Sequence, residues 1–220
     1  MIASILDRLL AVAKWPLGLM SLIFLIPLAL GWRDLFSDAL ESLETLVPLA
    51  LGCLGYLVIS RLVVGKKRQG WFSTLEHELT HAFFALITFH KVAGIKTTAT
   101  AGGVIHIIGG SNWLIVISPY FFPTLSFFLM LLLILVGAQN QVAAGLMLGF
   151  TMAYHLISTK HELHKHQTDL IEVGFLYSFL FLPGANLFSY GILFAYSVGG
   201  LPASMDYMGD VISFYYSMLQ

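Results

Sequence analysis

The 220-residue sequence is poor in charge and in cysteine. Only 10% of its residues are charged, whereas about 25% is usual for soluble domains. Hydrophobic residues make up 58%, and the mean hydropathy is +0.84. This composition excludes an ordinary soluble domain and predicts an integral membrane protein. The single cysteine, Cys53, excludes an intramolecular disulfide. A net charge of -1 without a long basic run predicts no nucleic-acid partner.

The amino-terminal apolar run resembles a secretory signal peptide only superficially. It follows Arg8 and Lys14 but ends at residues 31–34 without a small-residue cleavage site. We therefore predict a retained first span over residues 15–31, interrupted by Pro27, and an interfacial amphipathic helix over residues 33–44. A second span is predicted over residues 46–64. The basic cluster at residues 66–68 then predicts a cytoplasmic loop.

The third predicted span, residues 71–90, contains the pattern HExxH at residues 77–81. In a helix, His77 and His81 lie at i and i+4 on one face, close enough to bind one metal ion. Glu78 then projects nearby, where it can act on a metal-bound water. Ionisable groups inside a membrane span each cost roughly 3 kcal/mol, so these residues are functional candidates. Glu76 is expected to support the site or to face a polar cavity.

The rest of the chain predicts a hairpin followed by further spans. Two β-prone runs around a glycine turn, at residues 95–100 and 104–108, predict the hairpin, which must be buried, line a wet cavity or lie at the membrane surface. The later apolar segments are residues 113–136, broken near Pro119, then 141–158, 173–182 and, after a break at Pro183-Gly184, 185–198. Residues 199–220 are expected to be interfacial, and the polar residues 160–168 to form a solvated loop.

These segments predict an all-α polytopic membrane protein with about six transmembrane helices and a short β-hairpin after the HExxH helix. The chain is expected to form a single membrane domain, residues 1–220. Within it, residues 15–70 are accessory helices, residues 71–183 form a metallopeptidase core, and residues 184–220 form a carboxy-terminal helix with an interfacial tail.

A catalytic zinc site needs three protein ligands and an open position, and HExxH supplies only two ligands. Several later residues are candidates for the third. Asp169 stands where polar chain re-enters an apolar segment, so its side chain could reach the depth of the motif or could simply cap the helix that begins there. The other candidates are His155, His161, His164, His166 and Glu172.

Taken in order, the HExxH helix, the glycine-bearing β-like segment and an aspartate opening a later helix resemble the site-2-protease-like intramembrane zinc metallopeptidases, particularly their small bacterial-type members. The resemblance covers residues 71–182 and departs from larger members at Leu170, where they carry glycine. It implies one zinc ion per chain, bound by His77, His81 and Asp169, with Glu78 as general base. It also implies a multi-pass protein of the bacterial plasma membrane.

The implied substrate is a membrane protein or transmembrane peptide in the bilayer. Such a substrate must unwind locally to expose its carbonyl groups, and the hairpin could either bind it as an edge strand or be a plain extramembrane loop. The substrate-binding candidates are Gly102, Gly103, Val104 and His106; the supporting or alternative ligands are Glu76, His155 and Glu172. The oligomeric state, homo- or hetero-oligomeric, is left open by the sequence.

Two other functions fit parts of the pattern. A di-iron membrane oxygenase uses histidine boxes, which residues 77–81 and 161–166 could form, but this hypothesis leaves Glu78 without a role and other histidines scattered. A non-catalytic zinc-binding membrane protein of the same fold would keep the motif without turnover.

Overall fold

The computed structural model describes residues 2–41, 43–62, 66–98, 102–137, 140–164, 166–218 and 220. Within these ranges the chain is mainly helical, with one hairpin. The elements are α1 (Ile2–Ile23), α2 (Leu25–Glu41), α3 (Leu43–Leu62), α4 (Lys66–Ile87), β1 (Lys91–Thr98), β2 (Gly102–Ile108), α5 (Trp113–Ile117), a 3-10 turn (Ser118–Tyr120), α6 (Thr124–Leu135), α7 (Gln141–Glu162), α8 (Thr168–Val173) and α9 (Phe175–Ser217).

Three helices, α3, α7 and α9, are long and apolar enough to cross a membrane. Two bent pairs raise this to five spans among the described residues if each pair is counted once: α1 with α2, bent by 45°, and α5 and the 3-10 turn with α6, bent by 83°. The predicted polytopic helical fold is therefore confirmed. The predicted number of six transmembrane helices is approximate, since the structure has three to five candidate spans among the described residues. The motif helix α4 is not among these spans because its polar residues lower its hydropathy.

The amino-terminal helices differ from the prediction in their boundaries. The chain is helical from Ile2, and the helix is interrupted at Phe24. The structure therefore has a longer α1 and the helix α2 in place of the predicted span over residues 15–31 and the predicted interfacial helix. Pro27 lies in the first turn of α2, where its missing N–H has no intrahelical partner to lose. The prediction of a loop at residues 66–68 is wrong, because these residues begin α4. Residues 63–65 lie outside the described residues.

The break predicted at Pro183-Gly184 is also wrong. Helix α9 continues through both residues, and its non-helical position is Gly200, with φ 70° and ψ -159°. Helix α1 packs closely here: the Ser21 hydroxyl donates to the Phe181 carbonyl at 2.8 Å, and a side chain at position 184 would collide with Ser21. Neighbouring helices commonly support proline in membrane helices in this way. The tail predicted to be interfacial is the end of α9.

The hairpin is confirmed as an antiparallel two-stranded sheet, with Thr98 opposite Gly102 and a bulge between Val92 and Gly94. Its predicted glycine turn falls partly on residues 99–101, which lie outside the described residues. Alternate residues of β2 are exposed, and those between them are half-buried. Both strands contact α4, so the hairpin lies against the helix that carries the motif.

The core brings α8 to the middle of α4. A buried cluster that includes Trp113, Tyr120, Leu170 and Tyr177 joins α5, the 3-10 turn, α8 and α9. Elsewhere α3 packs on α7, while α1 and α2 pack on α9. Helix α7 extends to Glu162, four residues beyond its predicted end. The division of the chain into accessory, core and carboxy-terminal parts stays a prediction.

Candidate metal centre

Three side chains from two helices converge: His77 and His81 from α4 and Asp169 from α8. Each offers a ligand atom, and these atoms lie within 4.8 Å of one another. Asp169 Oδ2 is 3.0 Å from His77 Nε2 and 3.5 Å from His81 Nε2. Gln167, the N-cap residue of α8, makes no side-chain capping hydrogen bond. The carboxylate of Asp169, in the first turn of this helix, contacts the two histidines. The sequence-predicted trio is thus brought together.

The outer nitrogens of both histidines are fixed by acceptors. His81 Nδ1 lies 2.7 Å from the carbonyl oxygen of Ile115, and since a carbonyl only accepts, Nδ1 carries the proton. His77 Nδ1 lies 2.7 Å from Glu162 Oε2, so an ionised Glu162 likewise requires a proton on Nδ1. In the neutral imidazoles, both Nε2 atoms therefore present lone pairs towards Asp169.

The inward-facing atoms are thus two imidazole lone pairs and a carboxylate. Tyr120 supplies one proton, because its hydroxyl donates to Asp169 Oδ2 at 2.9 Å, but it does not lie between the ligand atoms. A cation, either a proton on one imidazole or a metal ion, is needed to hold these acceptors together. Two imidazole nitrogens and one carboxylate oxygen, with an open position, suit a divalent metal such as zinc.

A cavity of about 440 Å³ opens onto the cluster. Glu78, only 6% exposed, lines it together with the three convergent residues. A Cβ at position 103 would lie 2.6 Å from Glu78 Oε1, so glycine there lets β2 lie against this carboxylate. A second cavity, about 290 Å³, shares His81, Ile105 and Asp169 with the first. The two form a groove along β2 that passes the cluster.

Comparison with known families decides the affiliation. The family model described as Peptidase M50B-like matches residues 49–211, about three quarters of the chain. The chain belongs to the Peptidase M50B-like family. This confirms the predicted site-2-protease-like affiliation and indicates, at the level of the family, a membrane metallopeptidase. Comparisons with curated proteins and with solved structures gave no match.

The M50B-like match begins within α3 and ends within α9, so it contains the whole convergent cluster and the hairpin. It also includes residues 49–70, which the sequence prediction treated as accessory. Membership of the family and the candidate spans together establish an integral membrane protein. A bacterial origin stays a prediction.

His155 was an alternative ligand, but in this M50B-like protein it supports the 3-10 turn. Its Nε2 lies 3.1 Å from the carbonyl oxygen of Pro119, and its Nδ1 lies 2.5 Å from the hydroxyl of Tyr190. Both ring nitrogens are therefore used. Asn186 also donates, at 3.0 Å, to the carbonyl of Tyr120. These contacts from α7 and α9 hold the turn so that the Tyr120 hydroxyl meets Asp169.

The other sequence candidates divide between the groove and the surface. Glu76 faces a largely apolar cavity of about 600 Å³, not a polar one, and accepts from the Leu125 N–H at 3.4 Å, near the start of α6. Glu172 lies at the exposed rim of the groove, where Ser111 donates to it at 3.5 Å. Among the substrate-binding candidates, Gly102, Gly103 and Val104 line the groove, whereas His106 is exposed and lines neither of its two cavities.

Sequence reasoning missed Glu162 and Tyr120. Glu162 falls within residues 160–168, which are predicted to form a solvated loop, although His155, Ser158 and Glu162 recur at helical spacing and indicate a polar face of α7. No pattern in the sequence singles out Tyr120. The described histidines at 161, 164 and 166 are exposed and do not join the cluster of His77 and His81. Within the described residues there is therefore no second histidine box beside the first.

Proposed function

We propose that this M50B-like protein is an intramembrane zinc metalloprotease that hydrolyses peptide bonds of membrane-embedded substrates. The observation that carries the proposal is the convergence of His77 Nε2, His81 Nε2 and Asp169 Oδ2, while the outer histidine nitrogens are held by fixed acceptors. Together with family membership, this favours a metal centre over a purely structural cluster.

The residues that would hold zinc are His77, His81 and Asp169, three protein ligands as in other catalytic zinc sites. When bound, the ion would supply Lewis acidity, lowering the pKa of water and polarising a peptide carbonyl. Tyr120 would keep Asp169 oriented through its 2.9 Å hydrogen bond. The Ile115 carbonyl would keep the Nδ1 proton of His81 turned away from the ion.

Glu78 is the proposed general base. Its carboxylate lines the same cavity as the three ligands and is almost enclosed, at 6% exposure. It would accept one proton from the water that adds to the scissile carbonyl carbon. As the carbon–nitrogen bond breaks, Glu78 would return that proton to the departing amine, so that a carboxylic acid and an amine result. Loss of such a base typically costs about 10²–10⁴ in rate.

The hairpin is the proposed platform for the substrate. Strand β2 pairs with β1 on one side only within the described residues, and its residues from Gly102 to Ile105 line the cavity. An unwound substrate segment would add to the free edge of β2, which would satisfy its backbone groups and present its carbonyls to the cluster. This geometry favours the edge-strand role over that of a plain extramembrane loop.

The test compares the wild type with Glu78→Gln in proteoliposomes that contain candidate single-span membrane proteins. We expect one zinc per chain in both proteins by elemental analysis, and cleavage by the wild type at least about 100-fold faster. Equal cleavage by both would refute the role of Glu78. Zinc without any cleavage would favour the non-catalytic alternative, and about two iron atoms per chain would favour the oxygenase.

A further inference from the structure

Glu162, the last residue of α7, is held by polar contacts from α4. His77 Nδ1 donates to its Oε2 at 2.7 Å, and the Ser73 hydroxyl donates to its Oε1 at 2.6 Å. Ser73 also meets the hydroxyl of Ser158; because Ser73 gives its only hydroxyl proton to Glu162, Ser158 donates to Ser73. Both carboxylate oxygens are therefore occupied, and the side chain is only 22% exposed.

The two proposed histidine ligands thus differ in their outer partners. His81 Nδ1 donates to a neutral backbone carbonyl, whereas His77 Nδ1 donates to a carboxylate. A carboxylate in this position fixes the ring and its tautomer and makes the opposite nitrogen a stronger electron donor. The nitrogen opposite Glu162 is His77 Nε2, which lies 3.0 Å from Asp169 Oδ2.

We propose that Glu162 is a positioning residue for the metal centre, acting through His77 to strengthen metal binding. The proposal rests on the proposed function, because it requires His77 to be a ligand. Glu162 is not itself a member of the convergent trio, and it contacts the side of the imidazole ring that faces away from Asp169. Its charge therefore reaches the metal through the imidazole.

The experiment measures zinc affinity by chelator competition for the wild type, Glu162→Ala and Glu162→Gln in detergent. Removal of the carboxylate should weaken zinc binding roughly 10–100-fold, the usual effect of losing an outer partner of a ligand histidine. Glu162→Gln should fall in between, because its amide oxygen still accepts from His77 Nδ1 but carries no charge. The Co²⁺-substituted Glu162→Ala variant should also show a changed visible absorption spectrum.

Glu172→Ala is the matched control. It removes the same charge from the same groove, but within the described residues its side chain meets only the Ser111 hydroxyl, at 3.5 Å. Its zinc affinity should stay close to that of the wild type. Equal weakening by Glu172→Ala and Glu162→Ala would overturn the proposal, because it would show a general electrostatic effect.

The Tm values of the metal-free proteins separate positioning from plain packing of α4 against α7. If Glu162→Ala lowers the metal-free Tm but leaves the zinc affinity unchanged, Glu162 is only a structural tie and the proposal fails. If Glu162→Ala does not fold, Glu162→Gln and Ser73→Ala are measured in its place. Unchanged zinc affinity in both of these variants would also overturn the proposal. A wild type that binds no zinc would refute the proposed function as well, whereas unchanged affinity in the variants refutes this inference alone.

Discussion

Asp7 meets one buried histidine and Asp169 meets two, and the two clusters differ in how many partners share one carboxylate oxygen. At Asp7, the Asn112 amide donates to one carboxylate oxygen at 2.8 Å, and His90 Nε2 contacts the other at 3.2 Å. Each oxygen thus meets one nitrogen of its own. At Asp169, Nε2 of His77 and Nε2 of His81 both face Oδ2. The proton of each neutral ring lies on Nδ1, which contacts a different acceptor.

This difference separates a structural cluster from a candidate metal centre more clearly than residue type does. The Asp7 cluster has one nitrogen for each carboxylate oxygen, and it joins α1 to the region before α5. Asn112 also accepts from the Ile115 N–H at 3.1 Å, while the Ile115 carbonyl holds His81. The first cluster thus supports the second through α5, and a substitution in each should have distinguishable consequences.

The largest expected effect is that of Asp169→Asn. An amide in place of the carboxylate removes the only anionic oxygen among the three inward-facing atoms. We expect zinc affinity to fall by more than about 100-fold, because losing a residue that only supports a ligand already lowers metal affinity by up to about 100-fold. Chelator competition measures this, and the zinc-dependent rise in Tm should disappear with it. An Asp169→Asn variant that keeps stoichiometric zinc at wild-type affinity would remove Asp169 from the ligand set.

Next in size is Gly103→Ala, which tests whether Glu78 belongs to the reactive cluster. The added Cβ would lie within 2.6 Å of Glu78 Oε1 and would displace the carboxylate or the strand. A displacement of about 1 Å can cost roughly 100-fold in rate, so cleavage should fall by that order while zinc content is retained.

The matched control for Gly103→Ala is Gly94→Ala in β1, where a Cβ meets no atom within 4 Å. Its cleavage rate should resemble that of the wild type. If both alanine variants cleave at the wild-type rate, β2 does not constrain Glu78. If both lose activity equally, the hairpin as a whole is sensitive and Gly103 has no special part.

Much of this arrangement could be predicted from local patterns. The HExxH spacing places His77 and His81 on one helical face, and alternating β-prone residues around glycines predict the hairpin. Asp169 could be named as one candidate third ligand because it stands where polar chain re-enters an apolar segment, and the family resemblance implied it over the other candidates. These are properties of short stretches of sequence, and they do not depend on contacts with distant parts of the chain.

What the sequence could not predict depends on contacts between distant segments. Pro183 suggests a break only if α1 is ignored, because Ser21 and Gly184 allow close helix packing there. Helical spacing could have placed Glu162 on a polar face of α7, but its contact with His77 becomes recognisable only once α7 is known to meet α4. Tyr120 carries no local signal, since its position depends on contacts from α7 and α9.

A smaller effect is expected from Asp7→Asn, the counterpart of Asp169→Asn. An amide at this position keeps only one oxygen and no charge, so either the hydrogen bond from Asn112 or the contact with His90 is lost, which should cost about 1–3 kcal/mol. The Tm should therefore fall, by roughly 2–4 °C for each kcal/mol. Zinc stoichiometry should remain that of the wild type. If Asp7→Asn abolishes zinc binding at unchanged Tm, the separation between the two clusters is wrong.

The smallest expected effect is that of Tyr120→Phe, which removes the hydroxyl that donates to Asp169 in the candidate metal centre. Asp169 Oδ2 would lose its 2.9 Å hydrogen bond but keep both histidine neighbours, so zinc affinity should fall by roughly tenfold or less. Tyr177→Phe is the control: the Tyr177 hydroxyl is buried without a hydrogen-bond partner in the described part of the chain, so its loss should leave zinc affinity unchanged. Chelator competition on both variants would decide whether the tyrosine hydroxyl matters through Asp169 or only as buried volume, because the two substitutions remove the same atom from buried rings. A larger loss of zinc affinity in Tyr177→Phe than in Tyr120→Phe would mean that packing around α8 controls the metal centre more than the hydrogen bond to Asp169 does.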